Sequence, residues 1–278
     1  MTGERHPDHS SRRLRDAARY LATEFSRCGW TTTRQPFRAW GKTYRNILAV
    51  KQPSGRVARD RRAPILIGAH YDTVAGSPGA DDNASALAVL LEVACAFRRA
   101  GMARPVWLAA FCLEEQGLLG SRAFVSQIRQ AGQELAGAII LECVGYASRE
   151  PGSQRIPPGV PIAVPTVGDF LGIIGNEASR SLAAAVERSA RQVLPRLPTV
   201  VLAVPAGGEM LPDVRRSDHA AFWDEGYPAV MLTDTADFRN PHYHQPTDTI
   251  ETLDPDFLEG VIDAVVGSVR ALAAGEAR

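Results

Sequence analysis

Short apolar runs alternate with segments of helical period through most of this chain, and no other feature narrows its fold as much. Runs at 64–69, 106–113, 136–141, 199–204 and 229–233 have the length and composition of buried strands. Between them, Leu87, Leu90, Val93 and Phe97 recur at helical spacing within 84–100, and helices are predicted at 121–131 and 177–194. Two more extended stretches, 31–37 and 44–50, follow an opening helix whose residues Leu14, Ala17, Leu21, Phe25 and Cys28 line one face, with Ser10 or Ser11 as its cap and Gly29 at its end. The last helix has Asp254 as cap, Pro255 at its first position, and Phe257, Val261, Val265 and Val269 along one side. Such alternation predicts an α/β fold: a single three-layer domain over 1–278, its mostly parallel mixed sheet flanked by helices. Two Gly- and Pro-rich stretches, 145–172 and 204–216, are predicted to be loops that roof a site.

Composition removes several function classes. Thirty-one basic residues balance thirty-one acidic ones in 278, so no overall field favours nucleic acid or an anionic membrane. No apolar run approaches the ~20 residues that span a bilayer. Residues 1–15 are polar and lack the apolar core of a secretory signal, so the expected compartment is the cytoplasm. Cys28, Cys95, Cys112 and Cys143 are scattered, each within an apolar segment, and read as buried free thiols rather than ligands or disulfides.

The polar residues at the ends of the apolar runs carry the chemistry. His70 closes the first run, where open α/β sheets bind ligands, and Asp72 can orient its imidazole from the same side. Asp81, Asp82 and Asn83 precede a helix only a dozen residues later; a lone aspartate there would be a cap, but three such groups suggest more. Glu114 and Glu115 follow the strand at 106–113, where adjacent carboxylates repel unless a cation lies close by. Glu142 ends another apolar run, and His244 lies in a polar loop beside His242. These are the hard oxygens and imidazoles that Zn²⁺ and similar ions accept in hydrolytic sites.

Five strings carry a resemblance in order along the chain: Ala69-His70-Tyr71-Asp72, Gly79-Ala80-Asp81-Asp82-Asn83-Ala84-Ser85, Leu113-Glu114-Glu115, Ser217-Asp218-His219-Ala220-Ala221-Phe222-Trp223 and Tyr243-His244-Gln245-Pro246-Thr247-Asp248-Thr249. Together they resemble the M28 family of zinc peptidases, which includes bacterial aminopeptidases and, more distantly, glutaminyl cyclases. The resemblance implies two divalent metal ions, zinc by preference. Asp82 would bridge them, His70 and Glu142 would complete one shell, and Glu115 and His244 the other. Glu114 would be the catalytic base, with Asp72 supporting it, and a cis peptide would follow Asp82. Asp218, Arg215 and Arg216 are candidates for the substrate side.

The chain departs from the family pattern at three places. Glu142 stands where the aminopeptidases usually have aspartate, and glutamate there accompanies carboxypeptidase or deacylase activity in related proteins. Val214 replaces a tyrosine that steadies the tetrahedral intermediate, and Ala86 replaces a glycine. The resemblance therefore implies hydrolysis of a peptide or small amide, foremost by an aminopeptidase. A carboxypeptidase or N-acyl amino acid deacylase, with Arg215, Arg216 or Arg239 reading a carboxylate, stays open, and a glutaminyl cyclase or a non-catalytic module stands further off.

Overall fold

The computed structural model describes residues 2–53 and 62–274. Its frame is one eight-stranded sheet in the order β1-β2-β4-β3-β5-β8-β6-β7. The strands are β1 (Thr31–Ala39), β2 (Lys42–Lys51), β3 (Ile65–His70), β4 (Val106–Phe111), β5 (Gly137–Glu142), β6 (Leu171–Asn176), β7 (Thr199–Val204) and β8 (Ala229–Thr233). The central β4, β3, β5 and β8 run parallel, as do β6 and β7, while β1/β2, β2/β4 and β6/β8 are antiparallel. Within the central strands successive side chains enter opposite cores. Ile65, Ile67, Ile139 and Leu141 face one, and Leu66, Ala138 and Ile140 the other. A sheet covered on both faces makes such strands read as unbroken apolar runs.

Six helices supply the covering layers: α1 (Ser11–Arg27), α2 (Ala86–Ala96), α3 (Leu119–Gln130), α4 (Arg180–Val193), α5 (His219–Asp224) and α6 (Pro255–Ala274). Helices α1, α2, α4 and α6 fill the larger core with Leu21, Phe25, Leu90, Val93, Val186, Val261 and Val265. Helices α3 and α5 close the other face through Phe124, Val125 and Phe222, with Phe111 between them. Each fully buried side chain of this size contributes about 1.5–3 kcal/mol. The Asp254 carboxylate accepts the Phe257 N–H at 2.9 Å and caps α6 as its sequence predicts. Ser10 precedes α1 but makes no side-chain cap; its hydroxyl donates back to the His6 carbonyl.

Three features differ from expectation. Strand β6 begins at the end of the predicted 145–172 loop and runs through residues for which no element is predicted, up to the predicted helix at 177. Its two glycines let it approach β8 closely: a Cβ on Gly172 would lie 3.2 Å from the Thr233 carbonyl oxygen. Helix α5 is too short to show a period. The third is a correction: Cys28 and Cys95 form a disulfide, with Cα atoms 5.1 Å apart. The C-terminal ends of α1 and α2 meet there, and Trp30 Nε1 donates to the Ala94 carbonyl beside the pair. A local reading of each cysteine cannot see that meeting. Cys112 and Cys143 are free and buried as expected. Among the described residues no helix is long and apolar enough to cross a membrane.

Candidate active site

The parallel strands deliver their carboxyl ends to one rim. His70 is the last residue of β3 and Glu142 the last of β5, while Glu114 and Glu115 follow β4 within a few residues. Asp82 lies in an irregular turn, Ala80–Ser85, that feeds α2, and its bond to Asn83 is cis. His244 comes from the loop after β8. Leu113, Cys143 and His244 each adopt left-handed φ values of 63°, 45° and 60°, so the backbone turns sharply beside or at each of these groups. Gly79, also left-handed, starts the Asp82 turn, where a Cβ would strike the Asp82 carbonyl oxygen.

Asp82 occupies the centre. One carboxylate oxygen lies 3.1 Å from His70 Nε2 and the other 3.0 Å from His244 Nε2. Around His70 Nε2 are Glu142 Oε2 at 3.5 Å and Glu114 Oε2 at 3.9 Å. Glu115 Oε2 lies 3.3 Å from His244 Nε2. The five predicted ligands and Glu114 thus converge as two half-shells that share Asp82.

A test for metal ions lies in the unsatisfied atoms. His70 Nε2, Asp82 Oδ1, Glu115 Oε1 and His244 Nε2 are buried and make no hydrogen bond. Buried polar atoms without partners are costly, and orphans of both signs facing one point are what divalent cations would satisfy. The donor set, imidazole nitrogen and carboxylate oxygen, suits zinc. These residues fit the ions that the sequence implies.

Electrostatics point the same way. Burial pushes Glu114 well above the usual carboxylate range, with Glu142 and Glu115 adding to it against His70, and burial takes Glu115 to about 7, Asp82 adding to the rise. Burial would also raise Asp82, but the close imidazoles of His244 and His70 hold it below the usual value. Burial opposes protonation of His70 and His244, yet Glu142, Glu114 and Asp82 raise the first well above normal. Asp82 and Glu115 take the second to about 10. Without cations the cluster holds protons where metal would sit.

A second tier of side chains positions these groups. The Asp72 carboxylate accepts the main-chain N–H groups of Glu114 and Glu115, each at 3.2 Å, while the main-chain carbonyl of Asp72 faces His70 Nδ1 at 3.2 Å. The imidazole is therefore oriented by the backbone of Asp72, and its carboxylate, 3.8 Å from Nδ1, shapes the glutamate turn instead. The Asp248 carboxylate accepts the N–H groups of Asp81 and Asp82. Asn83 brackets Glu142, donating to the Leu141 carbonyl and accepting from Cys143 N–H. Ser217 donates its hydroxyl to Glu142 Oε2 at 2.6 Å. Only the order of the motif strings hints at these roles, because each depends on a partner distant in sequence.

Beside Glu142 opens a cleft with walls of Val160, Ile162, Phe170, Ile174, Leu202 and Met231. The stretches 145–172 and 204–216 form much of this wall, as their composition predicts. Three substrate-side expectations fare differently. Arg216 lies at the cleft, donating to Asp237 at 2.8 Å and to the Tyr243 hydroxyl at 3.3 Å. Arg215 turns away to Asp224 and the Gly207 carbonyl and does not line it. Asp218 is fully buried outside the cleft lining, its carboxyl pushed by burial to about 7 against the pull of His70. Arg239, the other carboxylate reader considered, is buried against Phe170 and spends its donors on Gln154 and the Phe170 carbonyl. Tyr243 is the residue that local reasoning misses. Its ring stacks on His244 at 3.8 Å and it lines the cleft, while Val214, also in the lining, offers only apolar surface.

A rim-mounted cluster of imidazoles and carboxylates at the mouth of an apolar cleft, on an α/β sheet, defines a metal-dependent hydrolase. The chain belongs to peptidase family M28, whose model matches residues 46–269. Membership places it among the metallopeptidases. It is 33% identical to the uncharacterized protein YfbL of Escherichia coli K12 over 264 residues, covering 91% of this chain and 79% of that one. It is 28% identical to leucine aminopeptidase 1 of Arthroderma otae, covering 75% of this chain and 54% of that one, so it spans about half of that relative's length. The structure of the LapA aminopeptidase of Legionella pneumophila superposes with a TM-score of 0.73 at 20% identity, over 98% of this chain and 68% of that one, and shares its fold.

Proposed function

We propose that the chain is an aminopeptidase that uses two divalent ions, zinc by preference, to release an apolar first residue from short peptides. The observation that carries this reading is the pair of half-shells sharing Asp82 at the mouth of an apolar cleft. His70, Asp82 and Glu142 would hold one ion, and Asp82, Glu115 and His244 the other. When bound, such ions lower the pKa of water and polarise the scissile carbonyl.

The chain's own residues supply the rest. Glu114 takes the proton of the attacking water and returns it to the leaving amine. The Tyr243 hydroxyl donates to the developing oxyanion, and Arg216 steadies that hydroxyl, a role Val214 cannot fill. Glu142, which lines the cleft, and Glu114 beside it at the His70 imidazole give the metal-site end of the cleft an acidic character suited to a free α-ammonium. Arg216 and Arg155, the arginines among the described lining residues, already donate to the carboxylate and the main-chain carbonyl of Asp237. This supports reading of the amino end over the carboxyl end, although Glu142 stands where aspartate is usual. The test compares leucyl-p-nitroanilide and a free dipeptide with their N-acetylated forms. The free forms are expected to be cleaved faster; faster cleavage of the acetylated forms would overturn the assignment of substrate end.

A further inference from the structure

We propose a third metal site, outside the catalytic cluster, formed by Glu4, His6 and His9 in the segment before α1. Each residue offers one ligand atom, and the three atoms lie within 4.8 Å of one another. Glu4 uses only one oxygen, accepting the Gly76 N–H through Oε2 at 3.3 Å. Its Oε1 is buried without a hydrogen bond and lies 4.0 Å from His9 Nδ1. The His6 and His9 rings stand 4.5 Å apart, so the second imidazole reaches the same space. One carboxylate and two imidazoles form a donor set for Zn²⁺ or a similar ion, with a fourth position left to water on the exposed His9 side. A neutral imidazole binds through one nitrogen and keeps its proton on the other. Ligation by His6 Nε2 would therefore release the contacts at 3.2 and 3.3 Å that its Nδ1 now accepts from the N–H groups of His9 and Asp8.

The placement gives the ion a consequence. Gly3 N–H donates to the Pro78 carbonyl, and the Arg5 main-chain N–H to Thr73 Oγ1. The buried Arg5 guanidinium donates to the carbonyls of Tyr71, Pro78 and Gly79. An ion held between Glu4 and the two histidines would fasten this segment to the 71–79 loop, which leads from His70 to Asp82.

Zinc titration of the untagged, metal-stripped chain tests the site, beside the His6→Ala/His9→Ala double variant and followed by metal analysis. Outer partners of metal-bound imidazoles are each worth about 10–100-fold in affinity. Loss of two direct ligands should therefore weaken the third ion by at least about tenfold, leave the other ions in place, and remove the slowing of amide exchange at 71–79 that the third ion brings. One fewer ion in the variant supports the site even if the catalytic pair fails to load. Equal stoichiometry and affinity in the two proteins would overturn it.

Discussion

At Tyr243 and Ser217 a single oxygen atom can be removed while the rest of the side chain is kept. Tyr243→Phe keeps the ring stacked on His244 but deletes the hydroxyl that faces the cleft. If that hydroxyl donates to the oxyanion, kcat should fall by about 10²–10³-fold with metal content unchanged, the usual cost of one such donor. Steady-state kinetics with metal analysis check this, and a change confined to KM would assign Tyr243 to binding alone. Ser217→Ala frees the Glu142 carboxylate from a 2.6 Å bond. Metal affinity should drop by about 10–100-fold, read by competition with a chelating dye. The candidate ligands His70, Asp82, Glu115, Glu142 and His244, and the adjacent Glu114, were legible in sequence because each ends an apolar run or lies in a motif string. Ser217, Asn83 and Asp248 lie in or beside the same strings, but their roles were not legible, since the partner that defines each is set by the fold.

Among the elements, the central strands and long helices were legible because their burial is regular. Strand β6 was hidden by glycines whose purpose is close approach to β8. The Cys28–Cys95 link was equally hidden, because it depends on how α1 meets α2. It closes a loop of 67 residues, for which cross-linking contributes about 2–4 kcal/mol. Cys95→Ser should lower the denaturant midpoint accordingly, and a native non-reduced sample should show two thiols on unfolding rather than four. Disulfides persist in oxidising surroundings, so the same thiol count on protein taken from cells bears on the cytoplasmic expectation. Helix α5 carries a further marker. Burial lowers the pKa of His219 to about 4, although its bond to the Val214 carbonyl opposes this. A base depressed on folding gives stability that is complete above its unfolded pKa of about 6.5 and is lost as pH falls toward 4. His219→Gln should flatten that part of the stability profile of the metal-free chain; an unchanged slope would show that the imidazole is not buried neutral.

At the scale of the whole molecule, charge balance conceals a local excess. The chain is formally neutral, yet Asp82, Glu114, Glu115 and Glu142 gather at one rim. That excess raises His244 to about 10, against the effect of burial, so the metal-free site carries at least one proton that a cation must displace. Apparent metal affinity should therefore fall as pH falls below about 10, and zinc binding near neutrality should release protons. Calorimetry in two buffers of different ionisation enthalpy measures that release, and its absence would contradict the charge state described.

In the proposed reaction, metal ions held around Asp82 and proton transfer by Glu114 together hydrolyse the substrate. The most direct measurement is leucyl-p-nitroanilide hydrolysis by the chelator-stripped chain as zinc is restored, run beside Glu114→Gln. Activity is expected to return as two equivalents bind, and Glu114→Gln is expected to bind the same two with turnover about 10²–10⁴-fold lower. Full turnover by the stripped chain, or by Glu114→Gln, would contradict it.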